Sequence, residues 1–284
     1  MIRAAGPADL ERVHALILRW SEAVDEPEFM AEVIRREWEA PGFDVERDHW
    51  LLERNGEVVG YATLKPGGDV SARGESAELL PLVATRARER GDERLETILT
   101  TRDTVGLAAF EAAGWTRERD VLRMWLDLAQ EPPAPVFPAD VHVRPYGAED
   151  ARRVHTFLGL AFAANNERVE PFAQWLHFMT GDGDFDPAFW HLAEGEDGEL
   201  AGCCLTWGAD PTGGWVKDLA VHPSRRRQGL GEALLHHAAR HYRDAGVHRV
   251  GLKVDSDNPT GAPRLYERLG YETDRTYAIL SKRP

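Results

Sequence analysis

The stretch VHPSRRRQGLGEALL, residues 221–235, decides how this chain is read. Just before it, GWVKDLAV (214–221) alternates as a strand with Leu219 and Val221 on one face, and His222-Pro223 ends that strand. After it, Leu230, Ala233, Leu234, Ala238 and Tyr242 recur at helical spacing. Arg226 to Gly231 therefore join a strand to the N-terminus of a helix. Backbone N–H groups without intrahelical partners collect there with the positive end of the helix dipole, which makes an anion site. Gly229 and Gly231 let the backbone approach a diphosphate, and the arginines add charge-assisted donors. The Lys-Ser/Thr of a Walker loop is missing, and the glycine spacing of a dinucleotide fold is not met. A purely structural turn accounts for one glycine more readily than for three arginines and two glycines.

Outward from this loop the chain reads as two copies of one plan. EPPAPVFPAD (131–140) holds four prolines in ten residues, which makes a stiff extended linker. IRAAGPADLERVHAL (from Ile2) echoes VRPYGAEDARRVHTF (from Val143), each a strand and a helix that starts near Asp9 or Asp150. HWLLERNGEVVGYATL (from His49) echoes FWHLAEGEDGELAGCCL (from Phe189) as a hairpin. ELLPLVATRARERGDERLETIL (from Glu78) echoes ALLHHAARHYRDAGVHRVGLKV (from Ala233), and LAAFEAAGW (from Leu107) echoes PRLYERLGY (from Pro263). The expectation is an α/β protein of two tandem domains, each a mixed central sheet flanked by helices. The boundaries are 1–130, a linker at 131–140, and 141–284.

Bulk properties narrow the function. The 284 residues carry a formal net charge of −14, which disfavours nucleic acid and anionic membrane as partners. The two cysteines, Cys203 and Cys204, are adjacent and form no disulfide framework, which fits a reducing cytoplasm. No segment has the apolar length of a membrane span, and the N-terminus does not read as a signal peptide.

Arg226-Arg227-Gln228-Gly229-Leu230-Gly231 resembles the acyl-CoA loop of the GNAT N-acetyltransferases: Gln or Arg, two residues, Gly, one residue, Gly or Ala. DNPTGAPRLYERLGY (257–271) resembles that family's closing motif, an asparagine followed by a helix bearing a tyrosine, with Asn258 and Tyr266 one residue further apart than is commonest. The resemblance covers residues 141–284 well and the first half as a faded copy. The tandem layout looks most like the two-domain branch that includes mycothiol synthase. Where that branch often carries Asp-His-Trp-Gly, this chain has Ala164-Asn165-Asn166-Glu167, so the resemblance leaves the acceptor open, mycothiol precursors included.

The resemblance implies acetyl-CoA as co-substrate and a primary amine as acceptor, of a small molecule before a peptide, in a monomer or homodimer. The backbone of Leu219, Ala220 and Val221 would pair with the pantetheine arm. The N–H groups from Arg227 through Gln228, Gly229, Leu230 and Gly231 to Glu232 would hold the pyrophosphate beside Arg226. Asn258 would support the pantetheine end or cap the next helix. Tyr266 would protonate the leaving thiolate, since a phenol near pKa 10 keeps its proton at neutral pH. A base is not singled out: Asp218, Glu167, Glu170 and a water chain all stand open.

Other residues have plainer readings. His237 and His241 stand four apart on a helix with no third ligand evident, so no metal is expected. Cys203-Cys204 reads as packing, and Trp175, Trp190, Trp207 and Trp215 as core or pocket wall. In the first half, matching Gly74 to Gly229 puts Ser71 at Arg226, Ser76 at Gly231 and Glu75 within the loop, while Phe110 takes the place of Tyr266. That half is expected to be structural, although a pocket lined by Trp38 and Trp50 would mark a ligand of its own. The competing function is a non-catalytic acyl-CoA-binding or regulatory module.

Overall fold

The computed structural model describes residues 1–26, 31–39, 43–163, 170–181, 185–210 and 213–284. The first series of elements is β1 (Ile2–Ala4), α1 (Leu10–Ala23), α2 (Ala31–Trp38), α3 (Val45–Asp48), β2 (His49–Arg54), β3 (Glu57–Leu64), β4 (Val70–Gly74), α4 (Leu80–Arg90), β5 (Leu95–Thr100), α5 (Thr104–Ala112) and β6 (Thr116–Asp127). The second is β7 (Val141–Pro145), α6 (Ala151–Phe162), α7 (Phe172–Thr180), β8 (His191–Gly195), β9 (Leu200–Asp210), β10 (Gly213–Val221), α8 (Leu230–Asp244), β11 (Arg249–Asp255), α9 (Ala262–Arg268) and β12 (Glu272–Lys282). Apart from the one-turn α3, the two series run in the same order, as the duplicated sequence requires.

The repeat is also written in charge. Arg3 pairs with Asp9 (2.5 Å) and Glu53 (2.9 Å), and Arg12 joins Glu53 (2.8 Å). In the second series Arg144 pairs with Asp150 (2.7 Å) and Glu194 (2.8 Å), and Arg153 joins Glu194 (2.6 Å). Asp9 and Asp150 also accept from the N–H of Gly6 (3.0 Å) and Gly147 (2.9 Å), which fixes the entry to α1 and α6. Bonded to Arg3, the Asp9 carboxyl is held down at about 2.

By internal contacts the chain divides into Met1–Val121 with Arg275–Pro284, and Leu122–Asp274. The proline boundary at 131–140 separates sequence repeats; the contact boundaries fall at the strand ends instead. Residues 277–282 of β12 pair antiparallel with β5, and Ala278 and Leu280 are buried in the first unit's core. Met124 and Leu128, at the end of β6 and just past it, are buried in the second unit's core. The proline stretch lies in the second unit, where Asp140 meets Arg225 (2.5 Å) and the Pro132 carbonyl accepts from Arg240 (2.9 Å).

In the first unit, β1, β2, β3 and β4 form an antiparallel sheet in that order. Leu52, Ala62, Leu64, Val70 and Ala72 face a core shared with α4, while Leu51 and Tyr61 face one shared with α1 and α2. In the second unit the order runs β7, β8, β9, β10, β11, then β6, with β10 and β11 parallel. Cys203 and Cys204 point to opposite faces, Cys204 into the core under α8 and Cys203 into the core under α6 and α7.

Tyr242 of α8 is wholly buried, and its hydroxyl donates to the Trp207 carbonyl and accepts from the Trp215 N–H (3.2 Å). That bonding needs Gly214, because a Cβ there would lie 2.4–2.6 Å from the Tyr242 ring. We expect Gly214→Ala to destabilise the fold by about 2–3 kcal/mol through overpacking. Gly159→Ala, in α6 with open space around its Cβ, is the matched control and should gain about 0.5–1 kcal/mol. Urea midpoints moving together in these two variants would refute the steric account.

Candidate active site

The geometry begins at a break in the β10 ladder. The parallel pairing with β11 holds at Gly214, Trp215 and Val216 and ends there, while the antiparallel pairing with β9 continues to Val221. The register slips between Val216 and Asp218. Among the described residues the side of Leu219, Ala220 and Val221 that faces away from β9 therefore has no strand partner, and an extended ligand arm can add to it. Leu219 and Val221 pack toward α8 and α9, and Ala220 toward α6. By alternation Asp218 takes the Ala220 side, where its side chain is 13% exposed.

Past β10 the chain makes a short 3-10 turn, Pro223–Arg225, closed by the His222 ring, which accepts from the Ser224 N–H (3.2 Å). Arg227 and Gly229 both take left-handed backbone, at φ 62° and 80°. Gly229 is the N-cap of α8 and brings no capping side chain, and the first intrahelical bond is Ala233 N–H to the Gly229 carbonyl (2.9 Å). The N–H groups of Leu230, Gly231 and Glu232 precede that bond and are aimed at the loop. A Cβ at Gly229 would meet nothing within 4 Å, so the space in front of the helix is open. Among the described residues this backbone cradle, set at the end of an unpartnered strand edge, fits a diphosphate carried on an extended arm.

The loop arginines divide their work differently from the sequence expectation. Arg226 turns inward and donates to the Ala161 carbonyl (2.7 Å) at the end of α6, with a longer bond to the Val221 carbonyl (3.4 Å). Arg225 is held by Asp140 (2.5 Å) and Gln228 donates to the Ser224 carbonyl (3.2 Å). Arg227 is the exposed cation of the loop. Arg226 thus ties the loop to the end of α6, while Arg227 stands exposed.

Tyr266 comes from α9, packed beside the strand edge. A Cβ at Gly231 would touch Val221, Leu265 and Leu219 at 3.6, 3.8 and 3.9 Å, so α8, α9 and the end of β10 converge there. Tyr266 is buried, with its ring 5.7 Å from that of Tyr271. Asn258 does not cap α9, whose N-cap is Gly261. Its side-chain oxygen accepts from the Thr260 N–H (3.0 Å) and hydroxyl (2.6 Å), which shapes the loop into α9.

On the other face of the sheet, α7 brings Trp175 into the core beside Trp190, which precedes β8 (ring centroids 6.0 Å apart), with Phe178 edge-on to Trp207 (5.5 Å). Glu170 is exposed, and its carbonyl bonds to His155 (2.8 Å). Glu167 and the stretch 164–166 lie outside the described residues. Both cysteines are fully buried, and burial pushes the Cys204 thiol up to about 12, so neither is a nucleophile at neutral pH.

Sequence reasoning missed a third histidine beside His237 and His241. His191, on β8, has ring centroids 4.5 Å from His237 and 5.3 Å from His241. The strand period of FWHL points it into the sheet face under α8, which is the signal that could have found it. Among the described residues no group of three or more His, Cys, Asp or Glu is placed to hold a metal ion. Burial and the neighbouring histidines lower the His191 pKa to about 3 from 6.5. Between those values the unfolded chain binds the proton and the folded chain does not. Stability is therefore full above about pH 6.5 and falls as the pH drops toward 3, by up to about 1.4 kcal/mol per unit. His191→Phe should flatten the fall in melting temperature between pH 7 and 5; an unchanged slope would exclude His191 as its source.

Among the described residues the first unit carries no such cradle. Gly60 pairs with Gly74, where the second unit pairs Gly202 with Val221, so Gly74 is a strand end and does not correspond to Gly229. The helix starts align Leu80 with Leu230, which puts Leu79 in the place of Gly229 and Pro81 in that of Gly231. β3 and β4 have 8 and 5 residues against 11 and 9 in β9 and β10. Glu75 is taken up by Arg54 (2.7 Å), and Phe110 is buried against Trp115 (4.9 Å) as Tyr266 is against Tyr271.

The chain is similar to known proteins across these features. Residues 152–271 match the model of the acetyltransferase (GNAT) family. A mycothiol acetyltransferase of Kineococcus radiotolerans is 36% identical over 81% of this chain and 80% of that protein. The mycothiol acetyltransferase of Thermobispora bispora is 34% identical over 78% of this chain and 79% of its own. Among solved structures, a GCN5-related N-acetyltransferase from Sphaerobacter thermophilus superposes with a TM-score of 0.79 at 29% identity, covering 100% of this chain and 96% of that one. A tandem GNAT protein from clavulanic acid biosynthesis shares the fold, with a TM-score of 0.69 at 18% identity over 100% of this chain and 98% of that one. Among the described residues no helix is long and apolar enough to cross a membrane.

Proposed function

The chain belongs to the GNAT family of acetyltransferases, and on that premise we propose that residues 141–284 carry the reaction, with the 226–232 loop holding the diphosphate and Tyr266 as the acid. The protein is an acetyl-CoA-dependent N-acetyltransferase whose acceptor is a small-molecule amine. The observation that carries the site reading is the unpartnered edge of Leu219, Ala220 and Val221 running into an uncapped helix N-terminus.

In this reading the strand edge aligns the pantetheine arm, so that the thioester comes to rest where β10 and β11 part. A backbone N–H near Leu219 is fixed in place before the reaction and stabilises the negative charge that grows on the thioester oxygen. The amine enters from the α6 and α7 face, walled by Trp207 and Phe178. Asp218, on that face, is the carboxylate best placed to take the amine's proton, directly or through water. Tyr266 returns a proton to the thiolate. Arg226 acts at one remove by tying the loop to α6.

For the acceptor, the amine acetylated in mycothiol formation is the first choice, because the named relatives are mycothiol acetyltransferases. The test is release of the CoA thiol with that amine and with a panel of unrelated small amines. Turnover on the mycothiol precursor above the panel supports the reading, and turnover on another amine replaces the acceptor while keeping the chemistry. Stoichiometric acetyl-CoA binding with no turnover on any amine would leave an acyl-CoA-binding module.

A further inference from the structure

A second polar cluster lies in the first unit, on the sheet face under α1 and α2. His49 of β2 is the cross-strand partner of Thr63 on β3, and Tyr61 on β3 is that of Arg73 on β4. Tyr61 and Thr63 are two residues apart, so all four side chains share one face. The Tyr61 hydroxyl and His49 Nε2 are hydrogen-bonded at 2.8 Å. Trp38 of α2 stands edge-on to His49, with ring centroids 4.7 Å apart. Its indole N–H also approaches the Tyr61 hydroxyl, closely enough to act on its acidity but without hydrogen-bonding geometry.

This cluster is not a satisfied core. Trp38 Nε1, His49 Nδ1 and Thr63 Oγ1 are all buried and have no hydrogen-bond partner among the described residues. His49 and Thr63 are 0% exposed. An orphaned buried polar atom costs about 1–3 kcal/mol, and native interiors rarely gather several around one residue unless something else satisfies them.

The face also carries one guanidinium held in no ion pair, with Asp103 the carboxylate that acts on it most strongly through space. The Arg73 guanidinium lies 4.4 Å over the Trp20 ring and donates to the Ala72 carbonyl (2.8 Å), with no ion pair among the described residues. The other charged groups nearby have ion-pair or hydrogen-bond partners of their own. Lys65 is neutralised by Glu37 (2.8 Å) and Asp69 (3.4 Å). Asp103 accepts from the Trp20 indole (2.8 Å) and the Gly106 N–H (2.8 Å).

We propose that this face binds a small carboxylate-bearing molecule, with Arg73 on the carboxylate and Trp38, His49 and Thr63 supplying hydrogen bonds further in. A guanidinium outside any ion pair, with neutral donors behind it, can take one planar carboxylate, whereas a phosphate or a nucleotide would need a cradle that the turn from β4 to α4 lacks. Trp20 and Trp38 supply flat walls. The site is separate from the 226–232 loop and does not depend on the reading of that loop.

The probe is acetate, titrated against chloride at equal ionic strength into full-length protein labelled with 15N at tryptophan. One indole resonance, identified by its loss in Trp38→Phe, is expected to shift saturably with acetate and not with chloride. Arg73→Met keeps the stem over Trp20 and should weaken the response about tenfold or more. Thr63→Val, of similar shape, should weaken it several-fold; a bare packing role for Thr63 would leave the response unmoved while raising the melting temperature. No saturable shift in the wild type, or a shift that persists unweakened in both variants, overturns the proposal.

Discussion

Gly229→Glu is expected to weaken acetyl-CoA binding by at least about a hundredfold, and to reduce kcat/KM in proportion, while the protein stays folded. Two effects add. Gly229 sits at φ 80°, a conformation that costs a residue with a Cβ about 1–2 kcal/mol. The new carboxylate would also stand at the mouth of the α8 cradle, where the ligand is anionic and the dipole it relies on is partly cancelled. No steric term operates within the protein, because a Cβ there meets no atom within 4 Å. Gly229→Ala therefore isolates the backbone term and should cost about tenfold at most. Gly231 makes the contrast: its Cβ would reach Val221 at an ordinary 3.6 Å without positive φ, so Gly231→Ala should bind almost normally. Calorimetric titration reads all three variants. Equal losses in Gly229→Ala and Gly229→Glu would mean that the loop shape, and not charge at the helix terminus, governs binding. A wild-type stoichiometry of two would overturn the assignment of Leu79 and Pro81 as a lost cradle.

Much of this architecture was legible because local chemistry marks it. Pro223 ends a strand, Gly229 precedes a helix at Leu230, and Asp9 and Asp150 sit at helix entries, all as the sequence patterns dictate. What could not be read depends on register and on contacts between distant segments. Sequence matching set Gly74 against Gly229, but the ladder pairs it with Gly60, and β4 runs into α4 with no room for an eight-residue loop. Spacing cannot see which carbonyl a guanidinium will find, so the bond from Arg226 to Ala161 could not be read. His191 lies 46 positions before His237, and only pairing of β8 into the sheet brings them together. The return of residues 277–282 to β5 is likewise a matter of edge pairing, and no residue in β12 announces it.

Tyr266→Phe is the second variant with a large expected effect, and its value lies in what should not change. The ring is buried in the core under α8 and packs on Tyr271, so phenylalanine keeps the volume and the fold. In the proposed site acetyl-CoA binding rests on the β10 edge and the α8 terminus, and it should stay within about twofold. If the hydroxyl delivers the proton to the leaving thiolate, kcat should fall by about 10²- to 10⁴-fold with the KM for acetyl-CoA little altered, the signature of an interaction made in the transition state alone. The first half supplies a natural version of the change, since Phe110 fills the equivalent place with no hydroxyl and no cradle beside it. If Tyr266→Phe instead raised KM and spared kcat, the hydroxyl would be a binding group and the proton would have to come from water. A loss of melting temperature comparable to that of Gly214→Ala would mark it as packing.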